Sequence, residues 1–389
     1  MTPYEPYIKD LESLRASRNF RSVPPDAPAG LMDFSSNDYL GLGADPELQR
    51  HFMADTARRM IPLTSSASRL LAGRQREYDY LEHLLARLYG GGRAALLFNS
   101  GYHANTGLIS ALASRPRTMI LADKLVHASI IDGIRLSTAR CIRFRHNDLV
   151  QLERLLEQHH ATFRQLIIVT ESIFSMDGDQ ADLTALVRLK KRYSNVLLYV
   201  DEAHAFGVRG LRGLGCAEET GCIRDIDFLV GTFGKAAASA GAYIACCRTI
   251  REYLVNRMRT LIFTTALPPT SIAWTLFIVR KLAGMQDRRE HLARISRTLR
   301  EALQAKGYGC PSASHIVPLI IGPSADTVLC AELLQRHGFY ALPVRPPTVP
   351  ERTSRIRFSL TADIREDEIG ELIPLIPLKE ERNTNAIRF

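Results

Sequence analysis

Four short apolar segments of the chain are each followed directly by residues that could take part in catalysis. They are Asp201 and His204 after 195–200, Glu171 and Ser175 after 165–170, Thr232 and Lys235 after 227–231, and Gly101 and Tyr102 after 94–98. In open α/β sheets, ligands bind beyond the carboxyl ends of the strands. We therefore expect these residues to meet at one edge of a sheet.

The residue types at this edge predict a site for pyridoxal phosphate. Lys235 lies among glycine and small residues in GTFGKAAASAGA, where desolvation would lower its pKa and favour a nucleophilic amine that forms a Schiff base. The Asp201 carboxylate can pair with a protonated ring nitrogen. A helix that begins at Gly101 presents free N–H groups to a phosphate, and Thr232 can add a hydroxyl.

The elements that must position these residues follow from the hydrophobic pattern between about 80 and 250. Short apolar runs alternate there with segments of helical periodicity, as in LVQLERLLEQHH, and this alternation predicts parallel strands joined by crossover helices. The expected strands are 94–98, 118–122, 165–170, 195–200, 227–232 and 240–247. The core is therefore expected to be α/β.

The rest of the chain predicts smaller parts around this core. Residues 5–20 have the spacing of a short amphipathic helix, 270–308 are helical, and strands are expected at 316–321 and 355–360. The expected organisation is an N-terminal helix and linker (1–35), a large domain (36–280) and a small α+β C-terminal domain (281–389).

Composition indicates a soluble globular protein. Of 389 residues, 46% are apolar and 23% charged, which excludes a disordered or collagen-like chain. The seven cysteines include no C-x-x-C pair, so neither a disulfide framework nor a zinc site is indicated. The N-terminus lacks the apolar core of a signal peptide, and no segment approaches the roughly 18 apolar residues of a membrane helix. We expect a cytoplasmic protein with no membrane partner.

The net charge leaves one remote alternative. Lys and Arg exceed Asp and Glu by 50 − 41 = +9, which fits a polyanionic partner or simply solubility. The sequence DEAH at 201–204 also occurs in nucleic-acid-dependent ATPases. Such an enzyme needs an upstream G-x-x-x-x-G-K-[ST] loop, which this chain lacks. We therefore do not expect a nucleic acid partner.

Six segments, in order along the chain, resemble the α-oxoamine synthases. They are FSSNDYLGL (34–42), FNSGYHAN (98–105), DKLVHAS (123–129), TESIFSMDGD (170–179), DEAHAFGV (201–208) and GTFGKA (231–236). The resemblance implies a fold-type I pyridoxal-phosphate transferase that joins an amino acid to an acyl thioester with loss of carbon dioxide. VRPPTVP (344–350) resembles the members that condense L-alanine with pimeloyl-CoA or pimeloyl-acyl carrier protein in biotin synthesis. Members that use glycine or serine, and a more distant aminotransferase, remain alternatives.

The resemblance also implies roles for individual residues. Around the cofactor they are Lys235 as the Schiff-base lysine, Asp201 at the pyridinium, His204 and Ser175 at the ring oxygen, His127 stacked on the ring and also beside the substrate carboxylate, Gly101, Tyr102 and Thr232 at the phosphate, and Thr264 or Thr265 contributed by the second subunit of a homodimer. Around the substrates they are Asn37 and Arg345 at the amino-acid carboxylate, Arg21 and Thr348 near the acyl group, and Glu171 near the condensation site. Other interpretations remain open. Glu171 could have no role beyond capping or pairing near a strand end. Arg18 could take the place of Arg21, and Asn37 could belong to an Asx-type turn.

Two segments depart from the family pattern by losing glycines. LTSSASR (63–69) stands where the family has a glycine-rich loop, and AAASAG follows Lys235 without the usual glycine near residue 238. Loss of glycine disfavours backbone with positive φ. We therefore expect the loop at 63–69 to lose such conformations and to be reshaped near the acyl entrance.

Overall fold

The strands and helices are described in a computed structural model that covers residues 2–23, 30–57, 59–72 and 75–380. The strands are β1 (Met32–Asp33), β2 (Arg93–Phe98), β3 (Thr118–Asp123), β4 (Arg140–Phe144), β5 (Gln165–Glu171), β6 (Val196–Asp201), β7 (Phe228–Thr232), β8 (Ala242–Cys247), β9 (Ile316–Gly322), β10 (Phe339–Tyr340), β11 (Pro343–Val344) and β12 (Ser354–Ser359). Residues 24–29 of the expected linker lie outside the described residues.

The α-helices occupy most of the segments between the strands. They are α1 (Glu5–Ala16), α2 (Pro46–Thr56), α3 (Arg76–Tyr89), α4 (Gly101–Ala113), α5 (Ala128–Arg135), α6 (Leu149–His159), α7 (Leu183–Lys191), α8 (Cys216–Glu219), α9 (Arg248–Arg257), α10 (Arg259–Ile262), α11 (Pro269–Lys281), α12 (Gln286–Ala305), α13 (Ser324–Arg336) and α14 (Glu366–Leu372). Within the described ranges, no helix has the length and apolar character needed to cross a membrane.

The larger of two compact units comprises residues 40–175 and 180–289, and its centre is a seven-stranded sheet. The strand order is β2-β8-β7-β6-β5-β3-β4, with β8 antiparallel to both of its neighbours and the other pairs parallel. The predicted α/β class and mostly parallel sheet are confirmed. Every apolar run singled out in the sequence forms a strand, because these runs are buried between helices.

Helix α4 is fixed to this sheet by an apolar core. Leu108 and Leu112 of α4 belong to one buried cluster with Ile120 of β3, Val169 of β5 and Val230 of β7. Burying an aliphatic side chain of this size stabilises a fold by about 1.5–3 kcal/mol. The core thereby holds the first turn of α4 beside the strand ends.

The smaller unit comprises the described parts of residues 1–39, 176–179 and 290–389. Its sheet has the order β11-β12-β9 with antiparallel pairs, and β1 pairs in parallel with β10. Phe34 contacts Phe339 and Phe358 with ring centroids 5.9 and 5.8 Å apart. The end of the N-terminal segment is thus joined to C-terminal residues by strand pairing and aromatic packing.

The expectation that the glycine-poor loop loses positive-φ backbone is wrong. Ser66 has φ 51° and Ala238 has φ 45°. The Ser66 N–H donates to Thr64 Oγ1 at 3.1 Å, and the Ser65 hydroxyl donates to the Leu267 carbonyl at 2.7 Å. Hydrogen bonds between side chains and backbone hold the loop in a conformation that glycine would adopt without strain.

Candidate active site

A cavity of about 190 Å³ lies at the carboxyl ends of β5, β6 and β7 in the larger unit. It brings together the predicted site residues Gly101, Tyr102, His127, Glu171, Asp201, His204, Thr232 and Lys235. These residues come from separate segments of the chain and meet because parallel strands end at the same edge.

Lys235 lies in the turn that follows β7. Its Nζ is 2.9 Å from His204 Nε2, and its carbonyl accepts a hydrogen bond from the Ala238 N–H at 2.8 Å. At the start of this turn, the Gly234 N–H donates to Thr232 Oγ1 at 3.2 Å. The half-buried amine is therefore held beside an imidazole by a turn that begins directly at the sheet edge.

Asp201 is the last residue of β6 and is only 5% exposed. Its Oδ1 accepts from the Ala203 N–H at 2.8 Å, and its Oδ2 accepts from Asn105 Nδ2 at 2.7 Å. Both donors are neutral, so the buried negative charge favours a cationic ligand in the cavity. This fits the protonated ring nitrogen of pyridoxal phosphate.

His127 and Glu171 are coupled through the backbone. The His127 N–H donates to Glu171 Oε1 at 2.5 Å, and His127 is the N-cap of α5. His127 is exposed as a residue, but desolvation of its ring by surrounding protein atoms lowers the pKa of His127, which favours the neutral imidazole. Burial, together with the charge of Asp201, raises the pKa of Glu171 well above its ordinary value. Glu171 therefore holds the backbone from which the His127 ring projects.

The first turn of α4 and the end of β7 form the part of the cavity suited to a phosphate. A Cβ placed on Gly101 would lie 3.8 Å from Thr232 Cβ, so the two residues are neighbours. Ser100 caps α4 by accepting from the His103 N–H at 3.2 Å, and the Thr232 hydroxyl donates to the Gly241 carbonyl at 3.1 Å. Helix N-termini of this kind bind anions through their first N–H groups.

Tyr102 borders the cavity from the same turn. Half of its side chain is exposed, and its hydroxyl donates to Asp132 Oδ2 at 2.8 Å. The hydrogen bond to this carboxylate raises the pKa of Tyr102. Its ring is therefore oriented by a partner on α5.

Three predicted site residues lie away from the cavity lining. Ser175 is half-buried in the loop after β5. Thr264 borders a different cavity, of about 1210 Å³, together with Arg257 and Arg259. Thr265 is exposed, and its carbonyl accepts from Asn99 Nδ2 at 2.6 Å. The roles assigned to these residues stay predictions.

Four of the predicted substrate residues lie in the smaller unit, in two groups. Arg21 Nη2 donates to Thr348 Oγ1 at 2.9 Å, and Arg345 donates to the Arg18 carbonyl. Burial, followed by the nearby charge of Arg21, lowers the pKa of Arg345. These residues form a cationic group suited to a carboxylate.

The second group contains Asn37 and a residue that the sequence analysis missed. Asn37 Oδ1 accepts from the Tyr39 hydroxyl at 2.9 Å and from Arg357 Nη1 at 3.2 Å. Arg357 lies on β12, where the alternating pattern RIRF indicates a strand but gives no reason to select this arginine. Its guanidinium becomes notable only through its contact with Asn37.

The sequence analysis also missed Asn105 and Ser129, which both line the main cavity. Asn105 lies four residues after Gly101 on α4, a spacing that places both on one helix face. Ser129 lies two residues after His127. The helical spacing from Gly101 was the available signal for Asn105, but its partners depend on the tertiary fold.

Comparisons with known proteins give one consistent result. The family model for aminotransferases of class I and II matches residues 29–376. A protein of Pasteurella multocida (strain Pm70), named "Putative 8-amino-7-oxononanoate synthase", is 52% identical over 377 residues, which is 94% of this chain and 97% of that protein.

Two solved structures extend this result to the fold. A serine palmitoyltransferase from S. paucimobilis, solved with bound PLP and myriocin, has a TM-score of 0.86 at 27% identity and covers 99% of this chain and 98% of its own. An 8-amino-7-oxononanoate synthase from Francisella tularensis has a TM-score of 0.75 at 28% identity and covers 92% of this chain and 99% of its own.

Proposed function

Because the chain belongs to the aminotransferase class I and II family and, within it, to the pyridoxal-phosphate-dependent α-oxoamine synthases, we propose that it condenses L-alanine with a pimeloyl thioester. The products are 8-amino-7-oxononanoate, carbon dioxide and the free thiol, in biotin biosynthesis. The observation that carries the proposal is one cavity holding the Lys235 amine, the buried Asp201 carboxylate and the first turn of α4. The thiol carrier is coenzyme A or acyl carrier protein.

The cavity residues fit this cofactor chemically. When bound, pyridoxal phosphate supplies an electron sink that stabilises negative charge at the α-carbon of an amino acid. Lys235 would hold the cofactor through a Schiff base and, once freed, accept the α-proton of alanine on Nζ. His204, which lies 2.9 Å from that nitrogen, is placed to hydrogen-bond with it. Asp201 would keep the ring nitrogen protonated.

The residues of the smaller unit would select the substrates. A pimeloyl thioester carries a free carboxylate at the end of its chain, and Arg21 with Thr348 offers a guanidinium and a hydroxyl for such a group. Arg345 and Asn37 would hold the carboxylate of the amino acid. We assign Ser175 to the ring oxygen together with His204, and Glu171 to the region of condensation.

The enzyme would act as a cytoplasmic homodimer with shared active sites. In one protomer, Thr264 and Thr265 lie away from the lining of the cavity that contains Lys235. A hydroxyl supplied by Thr264 or Thr265 of a second copy would complete the phosphate site.

A second candidate is a synthase that uses serine. The serine palmitoyltransferase structure gives a higher TM-score, 0.86, than the 8-amino-7-oxononanoate synthase structure, 0.75. The 52% identity to the Pasteurella relative supports alanine and a pimeloyl thioester as substrates. We give this identity more weight than the difference in TM-score. We do not propose a nucleic-acid-binding ATPase, because the aminotransferase class I and II family model matches residues 29–376, which include the DEAH segment.

The test is product formation by the purified protein with pyridoxal phosphate, L-alanine and pimeloyl-CoA, measured by mass spectrometry. We expect 8-amino-7-oxononanoate and stoichiometric carbon dioxide from the wild type. Lys235→Ala should abolish both the product and the visible absorbance of the Schiff base, because no other amine lines the cavity within the described residues. Lys124→Ala, which removes an exposed lysine, serves as the matched control and should keep activity. Turnover by Lys235→Ala at the wild-type rate would refute the mechanism.

A further inference from the structure

We propose that Asn105 and Ser129 are positioning residues that hold His127 as the tautomer with its proton on Nε2 and at the same time orient Asp201. The inference deepens the proposed function, on which it rests for the place of His127 beside the cofactor. It follows from a continuous chain of hydrogen bonds inside the larger unit, in which the direction of each bond is fixed by its neighbour.

The chain begins at Tyr199, on β6. This side chain is fully buried, and burial raises the pKa of its hydroxyl well above the ordinary value, so the phenol stays protonated. Its hydroxyl donates to Asn105 Oδ1. The bond fixes the orientation of the Asn105 amide, with the oxygen towards Tyr199 and the NH₂ group towards the cavity.

The NH₂ group of Asn105 then donates in two directions. One bond reaches Asp201 Oδ2 at 2.7 Å and the other reaches Ser129 Oγ at 2.9 Å. Asn105 and Ser129 are 3% and 0% exposed, so water does not compete for these bonds. Because the Ser129 oxygen accepts from Asn105, the proton of its hydroxyl remains available for the next partner.

That partner is Nδ1 of His127, which lies 2.7 Å from Ser129 Oγ. The backbone N–H of Ser129 also points to Nδ1, at 3.2 Å. A backbone N–H can only donate, so Nδ1 must accept and carries no proton. In the neutral ring the proton is then on Nε2, and His127 offers a ligand an N–H donor rather than an acceptor.

Asn105 therefore links two functional groups of the site. The same amide satisfies one oxygen of Asp201 and orients the Ser129 hydroxyl, whose 2.7 Å bond adds to the 3.2 Å backbone bond at Nδ1 of His127. A donor on Nε2 suits the anionic carboxylate of an amino-acid substrate. A structural role alone would require the buried amide to be satisfied but would not determine which nitrogen of His127 carries the proton.

The experiment is ¹⁵N NMR of the full-length protein, labelled at its histidine side chains, with and without pyridoxal phosphate. The protein has 11 histidines, and the signals of His127 are assigned by their loss in His127→Gln. In the wild type we expect an unprotonated Nδ1 and a protonated Nε2. These ¹⁵N chemical shifts are measured without substrate. They therefore test the tautomer of His127 even if the protein does not condense alanine.

Two substitutions interrupt the chain at different points. Ser129→Ala removes the hydroxyl donor to Nδ1, and Asn105→Asp replaces the donor to Ser129 by an acceptor, so the serine proton turns away from His127. The backbone N–H of residue 129, at 3.2 Å, stays as the weaker donor, so in both variants the fraction of His127 with its proton on Nδ1 should rise above the wild-type fraction. Ser110→Ala, which removes a hydroxyl bonded to the Gly107 carbonyl on the same helix, should leave the His127 signals unchanged.

Two results would overturn the proposal. One is a wild-type His127 with its proton on Nδ1. The other is a wild-type pattern of His127 signals in both Ser129→Ala and Asn105→Asp. If a buried carboxyl at position 105 prevents folding, as judged by circular dichroism, Ser129→Ala and the wild-type spectrum decide the question.

Discussion

At the scale of single residues, three buried acidic side chains at neighbouring strand ends have different environments. Asp201 accepts from two neutral donors at the cavity, and Glu171 accepts from the His127 backbone. Glu202 does not line the cavity: it accepts from the Ser172 hydroxyl at 2.5 Å and from the N–H groups that begin α8. The carboxylate suited to the cofactor is therefore Asp201, although all three follow apolar strands.

The environment of Glu202 predicts a dependence of stability on pH. Burial raises its pKa from 4.5 to about 7. Between these values the folded protein binds a proton that the unfolded chain releases, so stability falls as the pH rises from about 4.5 to about 7. Glu202→Gln removes this titration. We therefore expect the difference in melting temperature, wild type minus Glu202→Gln, to decrease as the pH rises from about 4.5 to about 7. Thermal denaturation in a series of buffers measures this difference. A constant or growing difference would contradict the assignment.

The sequence predicted most of the cavity residues because they follow apolar strands, and it predicted His127 through the family-like segment at 123–129. It could not predict the chain from Tyr199 through Asn105 to Ser129, because these residues lie on three separate elements and acquire their partners only when β6, α4 and the start of α5 pack together. Arg357 was missed for the same reason. Local spacing identifies residues at a sheet edge but not the contacts that orient them.

At the scale of elements, the turn after β7 contains both Lys235, the proposed Schiff-base lysine, and a residue with a strained backbone. Ala238 closes the turn that begins at Lys235, and Trp274 Nε1 donates to the Ala238 carbonyl at 2.8 Å. The left-handed conformation of Ala238 is unfavourable for a residue with a Cβ. Packing and hydrogen bonds therefore hold a strained residue three positions from the reactive amine.

We predict that Ala238→Gly stabilises the protein. Relief of left-handed strain is worth roughly 1–2 kcal/mol, and the greater freedom of glycine in the unfolded chain offsets roughly 0.5–1 kcal/mol of it. The melting temperature should therefore rise in thermal denaturation of the holoenzyme. Ala237→Gly, at a neighbouring residue outside the positive-φ region, is the matched control and should lower it. A lower melting temperature for Ala238→Gly would show that the turn carries no such strain.

Strand prediction at the scale of elements succeeded where burial is uniform. Continuous apolar runs such as 165–170 and 195–200 are strands buried on both faces. The edge strand β4 was not predicted, because RCIRF is short, contains no continuous apolar run, and has both of its arginines exposed. An edge strand is defined by its pairing with β3, which a local pattern does not contain.

At the scale of the whole molecule, the chain comprises two units that carry different parts of the proposed chemistry. The larger unit holds the cofactor residues, and the smaller unit holds Arg21, Arg345 and Thr348. The six family-like segments predicted the fold and the cofactor, which the family match and the solved structures confirm. The choice of amino acid rests on overall identity and on the segment at 344–350, and so it is the claim that most needs measurement.

The most direct test is a competition among amino acids. The purified protein, with pyridoxal phosphate and pimeloyl-CoA, receives equal amounts of L-alanine, glycine and L-serine, and all products are quantified by mass spectrometry. Our account predicts that 8-amino-7-oxononanoate dominates, with the glycine and serine products as minor species. Dominance of the serine or glycine product would contradict the assignment of L-alanine while leaving the cofactor site intact. Absence of any condensation product, with pimeloyl-CoA and with pimeloyl-acyl carrier protein alike, in a protein that retains the cofactor would contradict the pimeloyl thioester as acyl donor.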